Sequence, residues 1–364
     1  MLCNLCGCEN REGAKFCDRC GAPLDATITR TGIDPELDAV RKAFDDRFAV
    51  ESLLGRGGMG SVYKARELTL DRHIALKIVP ESRWHDVPFV ERFRREARIA
   101  ARLRHPRIVS VHEVGTLGGF PYFSMDYIDG STLRALISRR GPLPAEDAIS
   151  IVVEICRAVA HAHAKGVTHR DLKPENVMID NEGDIFVLDF GLARIGEEPG
   201  LTESGAIVGT PFYMSPEQLG GEKLDERSDV YSIALILYYC LTGEDLFAAE
   251  GLTAVIAKHA TLRVRELLAS NALLPPNMQE LVASMLEENP NMRTRSVKDV
   301  LERLTLRKIV ALGLAATEDD VSGAPTIPFA DLARPPQPLL FEDPATAAVA
   351  DRRKARLRAL LDEM

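Results

Sequence analysis

Thr168-His169-Arg170-Asp171-Leu172-Lys173-Pro174-Glu175-Asn176, followed after a short apolar stretch by Asp189-Phe190-Gly191, decides how the rest of the chain is read. The two tracts supply one carboxylate, Asp171, and two oxygen ligands suited to a hard cation, Asn176 and Asp189. Phosphoryl transfer to a hydroxyl needs this set. Asp171 would accept or orient the hydroxyl proton, Asn176 would hold one Mg²⁺, and Asp189 would bridge metal to phosphates.

Asp-Phe-Gly alone arises often by chance, so the other parts of this chemistry must occur in order. Upstream, Leu53-Leu54-Gly55-Arg56-Gly57-Gly58-Met59-Gly60-Ser61-Val62-Tyr63 reads as a strand, a glycine-rich turn and a second strand. Gly55, Gly57 and Gly60 take the G-x-G-x-x-G positions, where the lack of a Cβ lets backbone N–H groups approach phosphate oxygens. A dinucleotide-binding loop shares the spacing but opens a helix, whereas Val62-Tyr63-Lys64-Ala65 is β-like. Ile74-Ala75-Leu76-Lys77-Ile78-Val79 then sets one lysine in an apolar run, which is costly unless the charge is paired. Lys77 is expected to contact the α- and β-phosphates of ATP and to pair with Glu96 in the charged helical segment 90–103. Standing alone, the segment would read as a strand-end lysine reaching for water.

These motifs resemble the catalytic core of bacterial eukaryotic-like (Hanks-type) serine/threonine protein kinases over nearly all of 48–306. The resemblance implies an α+β, bilobal fold with a small β-rich N-lobe and a larger helical C-lobe, and ATP with Mg²⁺ (or Mn²⁺) as cofactors. It implies that Val62 and Ala75 cover one adenine face and Met178 the other. In Pro121-Tyr122-Phe123-Ser124-Met125-Asp126-Tyr127-Ile128-Asp129-Gly130, Met125 becomes the gatekeeper, while the Asp126 carbonyl and the Ile128 backbone bind the base. Residues 192–214 form an activation segment that runs into Ser215-Pro216-Glu217, where the family more often has alanine at the first of these positions. Glu217 is then expected to pair with Arg293, and Asp229 to brace the backbone around His169 and Arg170; singly, each would read as a surface charge. The family usually carries a proline in the stretch 243–247, which lacks one here.

Lys173 and Thr210 match the serine/threonine pattern: Lys173 would neutralise the moving phosphoryl group, and Thr210 would shape the acceptor groove. Arg170, an uncompensated cation beside Asp171, invites a phosphate. Thr202 and Ser204 are therefore expected sites of autophosphorylation, pairing with Arg170 and Arg194, with self-association allowing transfer in trans. For Ser204 an ordinary loop hydroxyl fits equally well.

Cys3-Asn4-Leu5-Cys6 and Phe16-Cys17-Asp18-Arg19-Cys20-Gly21 form two C-x-x-C pairs. Four converging thiolates suit a closed structural Zn²⁺ site, and so short a segment needs the metal in order to fold. Cys3, Cys6, Cys17 and Cys20 are the expected ligands of a zinc ribbon over 1–24, with Cys8 as a nearby fifth thiol. Disulfides would need an oxidising compartment, and nothing at the N-terminus resembles a secretion signal. A redox thiol pair is a further alternative. Cys156 and Cys240 lie in apolar helical runs and read as inert core.

Beyond the ribbon, 25–46 reads as a polar linker with room for a short helix, 47–306 as the kinase domain and 307–364 as a tail. The tail is Pro- and Ala-rich over 323–344, with helical spacing over 347–364 that suits either a partner-docking helix or a frayed terminus. A formal net charge of -9 argues against general nucleic-acid binding, although some zinc ribbons do bind nucleic acid. Apolar runs at 230–241 and 309–316 are too short to span a bilayer. The expected protein is a cytoplasmic kinase of protein substrates. A nucleotide-binding scaffold that transfers phosphate poorly would instead lack Lys77, Asp171, Asn176 or Asp189.

Overall fold

The computed structural model describes residues 35–57, 60–190, 211–249, 251–271 and 274–311. Helix α1 (Pro35–Phe44) leads into β1 (Phe48–Gly57), β2 (Gly60–Glu67) and β3 (Arg72–Ile78). Helix α2 (Val87–Ala100) follows, then β4 (Val111–Leu117) and β5 (Phe120–Asp126). The five strands form one antiparallel sheet in the order β1-β2-β3-β5-β4.

Strand β3 is apolar on both faces, and its period of two divides it between two cores. Ile74, Leu76 and Ile78 pack with Val40 and Phe44 of α1, while Ala75 and Val79 pack with Phe89 and Phe93 of α2. Helix α1 is too short to persist alone. Its Leu37, Val40 and Phe44 make one apolar stripe, and Phe44 has no exposed surface and meets Phe48, Phe120 and Tyr122 edgewise or tilted. Burying such a ring contributes about 1.5–3 kcal/mol. Part of the expected linker 25–46 therefore belongs to the N-lobe. Gly118, in the β4–β5 turn, lies so close to α1 that a Cβ there would sit 2.6 Å from that of Ala43.

Between β3 and α2, Trp84 donates its indole N–H to the Val79 carbonyl (2.9 Å) and sets its ring edgewise on Phe120, with centroids 4.5 Å apart. Asp86 caps α2 by accepting from Phe89 N at 3.0 Å.

After β5 come β6 (Gly130–Thr132), α3 (Leu133–Arg140), α4 (Ala145–His163), β7 (Val177–Asp180) and β8 (Ile185–Val187). Helices α5 (Pro216–Leu219), α6 (Arg227–Thr242), α7 (Leu252–Thr261), α8 (Val264–Ser270), α9 (Pro276–Met285) and α10 (Val297–Ala311) complete the larger lobe. Helix α6 is apolar around nearly its whole circumference, as expected of a helix packed on every side, and α4 is buried along most of its length. They pack on each other and on α10, which runs past the expected domain end at 306. Cys156 and Cys240 are buried here as free thiols, and burial pushes the Cys240 thiol up to about 12, so neither is reactive. The α2–β4 connection is tied to this lobe through Val109 N to Val187 O (3.2 Å) and Arg107 to Glu154 and Asp184 (3.1 and 2.8 Å).

Candidate active site

The site lies where the two lobes meet, and its upper wall is the hairpin β1–β2. Gly57 pairs with Gly60 at the tip of this hairpin, and Gly60 has φ +141, a conformation L side chains rarely adopt. A Cβ on Gly60 would lie 2.2 Å from the Ile78 carbonyl oxygen, so no side chain fits there without moving β3. Gly60→Ala should weaken Mg·ADP binding at least about tenfold, the scale of a strained non-glycine residue. Calorimetric titration checks this, and an unchanged Kd would mean the hairpin tip does not touch the nucleotide.

On the α2 side of the sheet, Val62, Ala75, Met125 and Ile128 share one apolar cluster. Ala75 pairs in register with Met125, and Val62 with Lys77. Met178 lies on the other lobe, on β7 opposite Thr132 and Phe186. The Asp126 side chain fastens β4: Oδ2 accepts from Ser110 N (2.9 Å), and Oδ1 pairs with His112 Nε2 (3.0 Å).

The catalytic tract is held from beneath by Asp229 of α6, which has no exposed surface. Its Oδ2 accepts from His169 N (2.8 Å) and His163 Nε2 (2.6 Å), and its Oδ1 accepts from Arg170 N (2.9 Å). Burial alone would raise the Asp229 pKa, but the His163 hydrogen bond and charge, with the His169 contacts, hold it below the usual carboxylate range. His169 is fixed in one tautomer, since Nδ1 accepts from Asp171 N (3.3 Å) and Nε2 therefore donates to the Leu188 carbonyl (2.8 Å). Its ring lies 4.6 Å from that of buried Phe190. Arg170 (φ 66) and Asp189 (φ 56) both adopt left-handed backbone, which turns the chain sharply at each acidic motif.

Asp171 Oδ2 accepts from Lys173 Nζ at 2.8 Å and from Asn176 Nδ2 at 3.2 Å, and Nδ2 also donates to the Asp171 carbonyl at 2.8 Å. These two contacts of Nδ2 fix the orientation of the Asn176 amide. Burial would lower the Lys173 pKa, but the Asp171 charge and hydrogen bond, together with the charges of Glu175 and Asp189, outweigh it and hold it above its usual value. Lys77 Nζ reaches Asp189 Oδ1 at 2.8 Å. The left-handed turn at Asp189 brings its carboxylate against β3, where it meets the buried ammonium. Glu96 is buried on α2.

Glu217 and Arg293 form the expected pair, bidentate at 2.7 and 2.9 Å and buried. Arg293 also donates to the carbonyls of Arg227, Glu287 and Glu288, and Glu217 Oε1 accepts from Ser228 Oγ at 2.7 Å. Sequence reasoning missed two supports. Gln218 closes a capping box with Ser215 and donates to the Arg170 carbonyl at 2.7 Å, and Ser-x-x-Gln is a legible signal for it. Arg134 of α3, buried, binds Glu175 (2.8 Å), Asp245 (2.9 Å) and the Tyr213 hydroxyl (3.0 Å). No local pattern announces that cluster, because its members lie far apart in the chain.

Gly191, Arg194, Thr202, Ser204, Thr210 and the cysteines Cys3, Cys6, Cys17 and Cys20 lie outside the described residues, as does the tail beyond 311.

Residues 48–304 match the family described as Protein kinase domain. The chain belongs to the protein kinase domain family. Its relatives include the serine/threonine-protein kinase PknB of Mycobacterium leprae, 38% identical over 260 residues, covering 70% of this chain and 42% of that one. The serine/threonine-protein kinase pkn3 of Myxococcus xanthus is 39% identical over 280 residues, 72% of this chain and 50% of its own. PknD of Mycobacterium tuberculosis is 39% identical over 251 residues, 68% of this chain and 38% of its own. The chain thus spans half or less of the length of these relatives. Within the matched residues, the family's small and large lobes are the sheet with α2 and the helical body around α4 and α6, and α1 precedes the match and packs on the sheet. Among the described residues no helix is long and apolar enough to cross a membrane.

Proposed function

We propose that the chain is a protein serine/threonine kinase that transfers the γ-phosphate of Mg·ATP to hydroxyls of protein substrates. The observation that carries this is the Asp171 carboxylate, held by Lys173 and Asn176 beside the Lys77–Asp189 pair. Asp171 takes the acceptor proton, and Lys173 neutralises charge on the phosphoryl group in flight. Magnesium, when bound, screens the phosphate charge; Asn176 Oδ1 and Asp189 would hold it, and the donor set, one amide oxygen and one carboxylate, suits a hard cation that keeps several waters. Lys77 then faces the α- and β-phosphates under the Gly55, Gly57 and Gly60 turn, with Glu96 poised on α2 to steady it. Val62, Ala75 and Met178 enclose the adenine, Met125 limits the depth of the pocket, and the backbones of Asp126 and Ile128 read the base edge.

Serine/threonine preference rests on Lys173 and Thr210 and agrees with the printed names of the relatives. Phosphate on Thr202 or Ser204 would give Arg170 a partner and order the activation segment, with a second copy as the donor in trans. The four-cysteine segment is proposed as a zinc ribbon, and reading those thiols as metal ligands implies a reducing, cytoplasmic setting. Intact-mass and phosphosite analysis of purified chain incubated with Mg·ATP tests the whole proposal. Added phosphate within 192–214 is expected. A chain that binds nucleotide yet gains none, alone or on a generic protein acceptor, would be a scaffold.

A further inference from the structure

Glu36, in the first turn of α1, touches both strands of the hairpin that carries the glycine-rich turn. Its Oε2 pairs with Arg56 Nη2 at 2.9 Å, and its Oε1 accepts from Ser61 Oγ at 3.1 Å. Arg56 and Ser61 are cross-strand partners, one rung below the Gly57–Gly60 pair at the tip. One carboxylate therefore clasps the two arms of the hairpin at its neck.

The platform from which it does so is firm. Phe44 and Val40 are buried against the sheet. Arg41 donates to the carbonyls of Val50 (3.0 Å) and Glu51 (2.6 Å), where an irregularity in the β1–β2 register leaves β1 carbonyls turned outward. Ala43 abuts the β4–β5 turn at Gly118. Glu36 thus projects from a helix anchored at three places onto a hairpin whose β2 arm is paired with β3 at Ser61–Ile78 and whose β1 arm is the edge strand of the sheet.

We propose that Glu36 is a positioning residue for nucleotide binding: from α1 it holds the neck of the glycine-rich hairpin at the height at which the tip closes on the phosphates. Pre-setting a loop that must otherwise be ordered on binding strengthens affinity without adding a contact to the ligand. Because Glu36 and Arg56 keep about a third of their side-chain surface in water, the effect is moderate and weakened by salt. This inference rests on the nucleotide-site assignment above.

The test is calorimetric titration with Mg·ADP, alongside KM and kcat for Mg·ATP and a thermal melt, on the full chain. Glu36→Gln should raise Kd and KM three- to fivefold, about 0.7–1 kcal/mol, with kcat within a factor of two and an unchanged melt. Asp38→Asn removes the same charge from the same turn without touching the hairpin and should leave Kd as in the parent. In an Arg56→Gln background, Glu36→Gln should add less than half its effect on log Kd, because the two act through one contact. The inference falls if Glu36→Gln leaves or lowers Kd, if Asp38→Asn matches it, or if only the melting temperature moves. A parent that binds no nucleotide removes the site assignment itself, and this inference with it.

Discussion

Replacing Asp171 with asparagine is expected to lower turnover about 10²–10⁴-fold, the contribution of a positioned general base, while Mg·ADP affinity stays within a factor of about two. Asparagine is nearly isosteric, keeps an oxygen for Lys173 and Asn176, and leaves the Asp229 clamp beneath the tract intact. What it lacks is the basicity to accept the acceptor's proton. Because the Lys173 and Asn176 contacts of Asp171 lie within its own loop, binding and chemistry should separate cleanly, with kcat collapsing and Kd holding. A fall in kcat of less than tenfold would show that the carboxylate is not the base, and attention would pass to another group near Lys173.

The largest effect on stability should come from Glu217→Ala. It strands the Arg293 guanidinium, which has no exposed side-chain surface, without its bidentate partner. Breaking a buried pair on one side costs about 3–5 kcal/mol, or a drop on the order of 10 °C in melting temperature for a domain of this size. Glu217→Leu with Arg293→Met should recover part of the loss: the desolvation of both charges vanishes together, while the carbonyls of Arg227, Glu287 and Glu288 lose a donor. Burial alone would raise the Glu217 pKa, but the Arg293 hydrogen bonds and charge hold it below its usual value. A depressed carboxylate adds stability that is fully present above its unfolded pKa and is lost as pH falls through the folded one. Acid unfolding of the parent should therefore steepen below about pH 4, where Glu217 and Asp229 must both take up protons, and Glu217→Ala should show a shallower decline. Equal acid slopes in the two proteins would remove this account.

The residues proposed to do chemistry were legible because each sits in a short tract whose spacing has one purpose: Asp171, Lys173 and Asn176 within a single turn of chain, Lys77 alone in an apolar run. The Glu217–Arg293 and Asp229 contacts, unremarkable as single charges, became legible only through the order of the surrounding motifs. Helix α1 was read mostly as linker for a physical reason. It is short and carries charges at Glu36, Asp38, Arg41 and Lys42, and its apolar positions gain meaning only once Ile74, Leu76 and Ile78 are seen to need a cover. Strand β3 concealed this need, since a strand buried on both faces shows no alternation to betray a second partner. The Arg134 cluster was invisible because contacts between residues so far apart are a product of the fold and leave no period in the chain. The Lys77–Asp189 contact turns on one left-handed residue, and aspartate in that conformation has no sequence signature beyond its motif.

Trp84 is the sole tryptophan of the chain. Its indole is hydrogen-bonded to Val79, just past β3, and set edgewise on Phe120, the first residue of β5, so it sits on the seam joining the sheet to both of its covering helices. The protein therefore carries a native fluorophore with a single address. Its emission reports on the small lobe alone, unmixed with signal from the helical lobe, and unlabelled material suffices to ask whether the two lobes loosen together or one before the other.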